Sequence, residues 1–237
     1  MIVFEDVTKT YGSTTAVDHL SFTAPAGRIT GFLGPNGAGK STALKVLMGL
    51  TRPTGGRAMI AGRSCRAWSN PGHLVGALLD ADAFHPGRSG RESLALSCQV
   101  LGLARTRVDE VLEEVGLTPQ ESRRRVRAYS LGMRQRLGLA QALLTDPPVL
   151  VCDEPANGLD PQGQRWLAEL LADRARRGCT VLLSSHRLAE IERIADRVVI
   201  LANGRLVVED TVAGLREAHA DLSEYYFTAT SHADRAA

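Results

Sequence analysis

The run Gly34-Pro35-Asn36-Gly37-Ala38-Gly39-Lys40-Ser41 carries the sharpest chemical signal in this chain, and Thr42 follows it. Its spacing is G-x-x-x-x-G-K-[ST]. Glycines at these positions let the backbone curl until successive N–H groups point inward as a nest for an anion. A helix beginning at its end adds the partial positive charge of its N-terminus. Lys40 is placed to reach β- and γ-phosphates and Ser41 to bind Mg²⁺, so the motif predicts a Mg-nucleotide site. A second signal ends the apolar run Val149-Leu150-Val151-Cys152 with Asp153 and Glu154. Two carboxylates at the tip of a buried strand need a partner. Beside a Mg-nucleotide, Asp153 holds the metal through its water shell. Glu154 accepts a proton from an attacking water or polarises it. These two motifs leave kinases, GTPases, helicases and transport ATPases open. The guanine-reading Asn-Lys-x-Asp run is absent.

The elements that must hold these residues follow from hydropathy. Residues 2–7 and 15–24 alternate as strands, with a turn at Ala26-Gly27. A strand from Arg28 to Leu33 feeds the glycine-rich turn, and a helix over 40–50 leaves it. Val75–Leu79 reads as a further buried strand. From about 88 to 145 the pattern turns helical, an insertion in an otherwise α/β chain. Leu94, Leu96, Leu101 and Leu103 belong to one helix there. Val108, Val111, Leu112 and Val115 belong to the next, with Thr106 as its N-cap. Over 133–145, Leu137, Ala140, Gln141 and Leu144 share a face. The α/β rhythm returns with a strand at 149–152, a helix over 161–177 ended by Gly178, a strand at 180–184 and a helix over 187–195. Strands 197–202 and 205–209 form a hairpin around Asn203-Gly204. The tail 218–237 carries little pattern, and its last few residues are expected to be mobile.

Composition narrows the class. The chain has 237 residues, 44% hydrophobic and 23% charged, which excludes a disordered chain, a collagen and a coiled-coil rod. A net charge of +2 gives no argument for nucleic acid as a partner. The run Arg123-Arg124-Arg125-Val126-Arg127 therefore reads as a solvated loop. No apolar run approaches the ~18 residues of a membrane span, and no signal peptide is visible at Met1–Asp6. Cys65, Cys98, Cys152 and Cys179 have no metal-ligand spacing and read as reduced thiols of a cytosolic protein. Glycine is abundant at 23 residues and aromatics scarce at 5%, which suits tight turns and close backbone approach to a ligand.

Residues 129–136, Tyr-Ser-Leu-Gly-Met-Arg-Gln-Arg, decide among the open classes. Here the sequence resembles the ATP-binding-cassette (ABC) ATPases, whose signature reads Leu-Ser-Gly-Gly-Gln. Ser130, Gly132, Gln135 and Arg136 match that frame. Leu131 replaces the first signature glycine and Met133 the glutamine. The form Tyr-Ser-x-Gly-Met-x-Gln-Arg is similar to the drug- and antibiotic-export subfamily of daunorubicin- and bacitracin-resistance type. Ser130 and the backbone near Gly132 stand at a helix N-terminus, a second anion site. The resemblance implies a head-to-tail dimer. In it Ser130, Leu131, Gly132, Met133 and Gln135 of one copy close the nucleotide of the other. Ser130 is at the same time an N-cap. Ala156-Asn157-Gly158-Leu159-Asp160 resembles the loop that meets the partner, and Asp160 also caps the helix starting at Pro161. His186 matches the histidine that contacts the γ-phosphate, and Tyr11 the aromatic that stacks on adenine. Asp80 stands where the family usually has a glutamine linking Mg²⁺ to the membrane partner. An acid can still approach the metal.

The resemblance spans about residues 2–215. It implies an α/β P-loop NTPase with a RecA-like core, an antiparallel β subdomain and an inserted helical subdomain, arranged as one ATPase domain over 1–217 with a tail at 218–237. It implies an ATP- and Mg²⁺-dependent ATPase that powers export through a separate polytopic membrane subunit. A second copy completes it, and it sits on the cytoplasmic face of the cell membrane. The alternatives are an importer, a lipid or polysaccharide transporter, and a membrane-independent ATPase of the same family. DNA-repair and chromosome members split the cassette with coiled coils or zinc inserts. The interval from Ser41 to Ser130 has neither heptads nor metal spacing.

Overall fold

The structure, a computed structural model, describes residues 1–234. The mobility expected of the last few residues falls in part on 235–237, outside the described residues. The chain forms two compact units, one made of Met1–Ser69 with the chain from Leu170 onward, the other of Asn70–Glu169.

The first unit opens with β1 (Ile2–Tyr11), β2 (Thr14–Ala24) and β3 (Ile29–Leu33), then α1 (Lys40–Leu47) and β4 (Gly55–Ile60). An antiparallel sheet has the order β2-β1-β4. In β1 the buried residues are Ile2, Phe4 and then Val7. The phase change matches a register shift between Phe4 and Val7, where Asp6 sits at φ 52°. A bulge of this kind turns an alternating strand over by one residue without losing its buried face. Phe4 stacks on Phe22 at 4.6 Å and Phe22 on Phe32 at 5.4 Å, so one aromatic row ties β1 and β2 to β3. The helix expected over 40–50 stops at Leu47, because Met48 and Gly49, the latter at φ 70°, turn the chain away. β4 has no counterpart in the sequence reading.

The second unit contains β5 (Val75–Leu78), α2 (Gly90–Leu101), α3 (Arg107–Glu114), α4 (Pro119–Arg123), α5 (Leu131–Ala142), β6 (Val149–Cys152) and the start of α6 (Pro161–Arg176). β5 and β6 pair in parallel, with Leu78 opposite Cys152. All four residues of β6 are buried, as a parallel strand covered on both faces requires. The expected helices are present, with corrections at their edges. Leu103 lies past the left-handed Gly102 that ends α2, and Leu96 is 43% exposed. Thr106 precedes α3 in helical conformation and makes no side-chain cap. In α5, Leu137 and Ala140 face the core, whereas Gln141 faces solvent and Leu144 lies beyond the helix end. Arg123, Arg124, Arg125 and Arg127 are exposed as expected of a solvated stretch, but Arg123 ends α4 and Val126 is buried.

The first unit resumes with β7 (Thr180–Ser185), α7 (Leu188–Ile194), β8 (Arg197–Ala202), β9 (Arg205–Thr211), α8 (Val212–Ala218) and α9 (Leu222–Asp234). β3 lies between β7 and β8, parallel to both, and β9 returns antiparallel beside β8. Every residue of β3 and β7 is buried. Asn203 at φ 49° and Gly204 at φ 80° make the hairpin turn their sequence announces. The four cysteines are buried, so none is a surface thiol. α9 gives the tail a helix its sequence did not announce.

Candidate functional site

In the first unit, residues 34–42 join the buried end of β3 to α1. Gly39 is the N-cap of α1 at φ 98°, with no side-chain cap and no acid in the first turn. A Cβ on Gly39 would collide with the Ala16 carbonyl oxygen, and positive φ already disfavours any other residue there. Pro35, Asn36, Gly37 and Ser41 are exposed, while Ala38 is buried and Thr42 partly so. Lys40 is only 6% exposed, and its Nζ donates to the carbonyls of Gly34 at 2.6 Å and Pro35 at 3.1 Å. A buried ammonium at an uncapped helix N-terminus, inside a loop with two left-handed glycines, is a cradle of positive potential. It suits a phosphate chain and nothing apolar.

Two further predicted residues belong to this unit. Tyr11 ends β1, half exposed, with Lys9 Nζ 4.7 Å above its ring. His186 is exposed just after β7. The turn that carries it is pinned from inside. Ser185 Oγ accepts from Arg187 N–H at 3.0 Å and donates to Glu190 Oε2 at 2.7 Å, and Glu190 pairs with Arg187 at 2.7 Å. The sequence reading missed Glu190. A charged residue at 5% exposure, four positions past His186, leaves no mark in composition or spacing.

In the second unit, Asp153 and Glu154 follow β6, both part-buried. Asp153 N–H donates to the Leu78 carbonyl at 2.7 Å, which continues the β5–β6 ladder to the acids. Asp80, two residues past Leu78, is exposed and accepts from Asp82 N–H at 2.8 Å. Asp160 caps α6 through a 2.7 Å bond from Gly163 N–H, and Pro161 is the first helical residue. Ser130 caps α5, accepting from Met133 N–H at 3.2 Å. Arg136 reaches the Val115 carbonyl at the end of α3 and lies 4.2 Å over the Trp166 ring. Leu131 packs on Gly158, where a Cβ would collide with it, and Gly158 has φ 73°. The leucine in place of a signature glycine is therefore matched by a glycine in the loop beneath it. Gln135 departs from its expected place. It is 5% exposed and points into its own unit, whereas Ser130 and Leu131 are exposed and Gly132 and Met133 partly so.

The family model described as ABC transporter matches residues 17–157, more than half of the chain. The chain belongs to the ABC transporter family. It is an ATP-binding subunit that hydrolyses ATP, and its fold is the P-loop NTPase fold of these cassettes. It is similar to a bacitracin transport ATP-binding protein of Bacillus licheniformis, 42% identical over 86% of this chain and 67% of the relative. It is also similar to a methionine import ATP-binding protein of Geobacillus kaustophilus, 38% identical over 90% of this chain and 66% of the relative. A solved structure entitled as the ATP-binding subunit of an ABC transporter superposes with a TM-score of 0.86 at 28% identity, covering 97% of this chain and 99% of that one. The ABC match contains the phosphate cradle, the signature segment and both acids after β6 in one stretch.

Proposed function

We propose that two copies of this subunit close head to tail on two Mg-ATP molecules and drive a separate polytopic membrane subunit that exports a drug or antibiotic. The observation that carries the reading is the cradle around buried Lys40, in a chain whose matched segment also contains Asp153 and Glu154. Phosphate oxygens draw Lys40 from the Gly34 and Pro35 carbonyls, and the backbone N–H groups of residues 34–42 wrap the phosphates. Tyr11 stacks on the adenine. Ser41, Asp153 and Asp80 offer the hard oxygen donors that would hold Mg²⁺, which would supply charge neutralisation at the phosphates. Among the described residues no cluster of three His, Cys, Asp or Glu side chains forms a metal site by itself. The metal in this reading comes with its nucleotide. Glu154 accepts the proton of the attacking water, and His186 contacts the γ-phosphate and orients that water. Ser130, Leu131, Gly132 and Met133 of the second copy close the site, and Asp160 meets the partner near its phosphate loop.

Export is supported by the likeness to the bacitracin transport subunit and by the Tyr129–Arg136 form. Import is the second reading, favoured by the methionine import relative. No helix among the described residues is long and apolar enough to cross a membrane. In this proposal the membrane passage belongs to the other chain, and the subunit works at the inner face of the membrane with no nucleic acid involved.

Two substitutions test the chemistry. Glu154→Gln retains ATP binding and lowers turnover by about a hundredfold or more, the scale of a lost general base. Lys40→Ala weakens ATP binding by about tenfold or more, the scale of a lost charge-assisted bond. Steady-state hydrolysis and nucleotide titration read both. Full turnover in the first variant or full affinity in the second contradicts the assignment.

A further inference from the structure

Glu154 lies in left-handed backbone at φ 48°, which a residue with a Cβ adopts at a cost. Such a conformation persists where its surroundings impose it. Its carbonyl accepts from Asn157 N–H at 3.1 Å within the turn and from Gln135 Nε2 at 3.3 Å across from α5. Gln135 is 5% exposed, and its Oε1 is buried without a hydrogen-bond partner. Turning the amide over would set Oε1 against the Glu154 carbonyl, two acceptors face to face, so Nε2 is the atom on that carbonyl. A buried acceptor left unpaired is destabilising. A side chain that accepts this cost to deliver one donor is poorly explained by stability. The same helix end also fixes the loop beyond. Leu131 packs on left-handed Gly158, and a Cβ on Gly132 would come within 2.9 Å of the Gly158 carbonyl oxygen.

We propose that Gln135 is a positioning residue for hydrolysis within its own chain. Its amide holds the Glu154 backbone in the left-handed turn that sets where the Glu154 carboxylate leaves the strand. This rests on Glu154 being the general base. Gln135 then acts through Glu154, and its part in the signature is to tie α5 to the segment 154–158 of the same copy.

Gln135→Met keeps the length and the helix preference of glutamine and removes both polar atoms. In the full chain, kcat falls by about tenfold or more, the scale of a misplaced catalytic group. The KM for ATP and the affinity for a non-hydrolysable ATP analogue stay unchanged. The melting temperature stays level or rises, because the unpaired Oε1 is gone. A merely structural role would lower the melting temperature and shift KM with kcat. Gln135→Leu, which removes both polar atoms with another good helix former, lowers kcat in the same way should the methionine variant not fold. Adding Gln135→Met to Glu154→Gln leaves the residual turnover unchanged, since the two act as one unit. A further fall in the double variant overturns the inference. Wild-type kcat in Gln135→Met, with Glu154→Gln inactive, overturns the inference alone. Wild-type kcat in Glu154→Gln overturns this inference and the catalytic reading together.

Discussion

Gly37 and Gly39 show how much of the proposed nucleotide site is a matter of single atoms. Both have positive φ, 83° and 98°, but a Cβ on Gly37 would meet nothing within 4 Å, whereas one on Gly39 would strike the Ala16 carbonyl. Gly37→Ala therefore carries backbone strain only, about 1–3 kcal/mol. Gly39→Ala carries the same strain and a collision with backbone that cannot move aside. ATP titration should rank the affinities wild type, Gly37→Ala, Gly39→Ala, and equal loss in the two variants would contradict the geometry. The left-handed glycines were legible in the sequence because the spacing of the loop calls for them. The pairing of Leu131 with Gly158 was not legible, since it depends on two segments meeting in space. Gln135 shows a subtler limit. The motif frame placed it in the right helix, but at about 100° per residue a position five beyond the N-cap Ser130 turns to another face. The frame names neighbours in sequence and leaves the direction of each side chain to the helix.

Elements were legible where hydropathy had a period and illegible where a cap or a bulge decided. The short α4 went unseen, although Thr118-Pro119-Gln120-Glu121 spells a capping box with proline at the first helical position. In the structure Thr118 N–H donates to Glu121 Oε2 at 2.9 Å, and Glu121 N–H donates to Thr118 Oγ1 at 3.2 Å. Ser89 and Glu92 open α2 in the same way. The Thr118 hydroxyl first, then the Thr118 backbone N–H, hold the Glu121 carboxyl below its ordinary value. Because the folded value is depressed, this stabilisation is present above the ordinary glutamate range and is lost as pH falls through the depressed value. Thr118→Ala should cost about 1 kcal/mol at neutral pH. The difference from wild type should shrink in acid. Urea unfolding at the two pH values checks it, and a penalty independent of pH would contradict the role given to the carboxylate. Thr106, which the sequence offered as a cap, makes no such bond. No Glu or Gln stands three residues after it to complete a box.

At the scale of the whole molecule, the α/β class, the inserted helices and the ABC family were all readable, because several motifs occur in one order along the chain. The division at residues 69 and 169 was not, since one break falls in a short loop before Pro71 and the other inside α6. In the proposed transporter a second polypeptide sets what the subunit moves, and this gives the account its most direct test. The measurement is a pull-down of tagged Glu154→Gln protein, in Mg-ATP, from detergent-solubilised membranes of its native host. The proposed transporter predicts a polytopic membrane protein recovered in fixed ratio to the subunit and lost when Lys40→Ala replaces the bait. Recovery of a soluble dimer with no membrane protein, in a detergent that preserves other complexes of this kind, would contradict it.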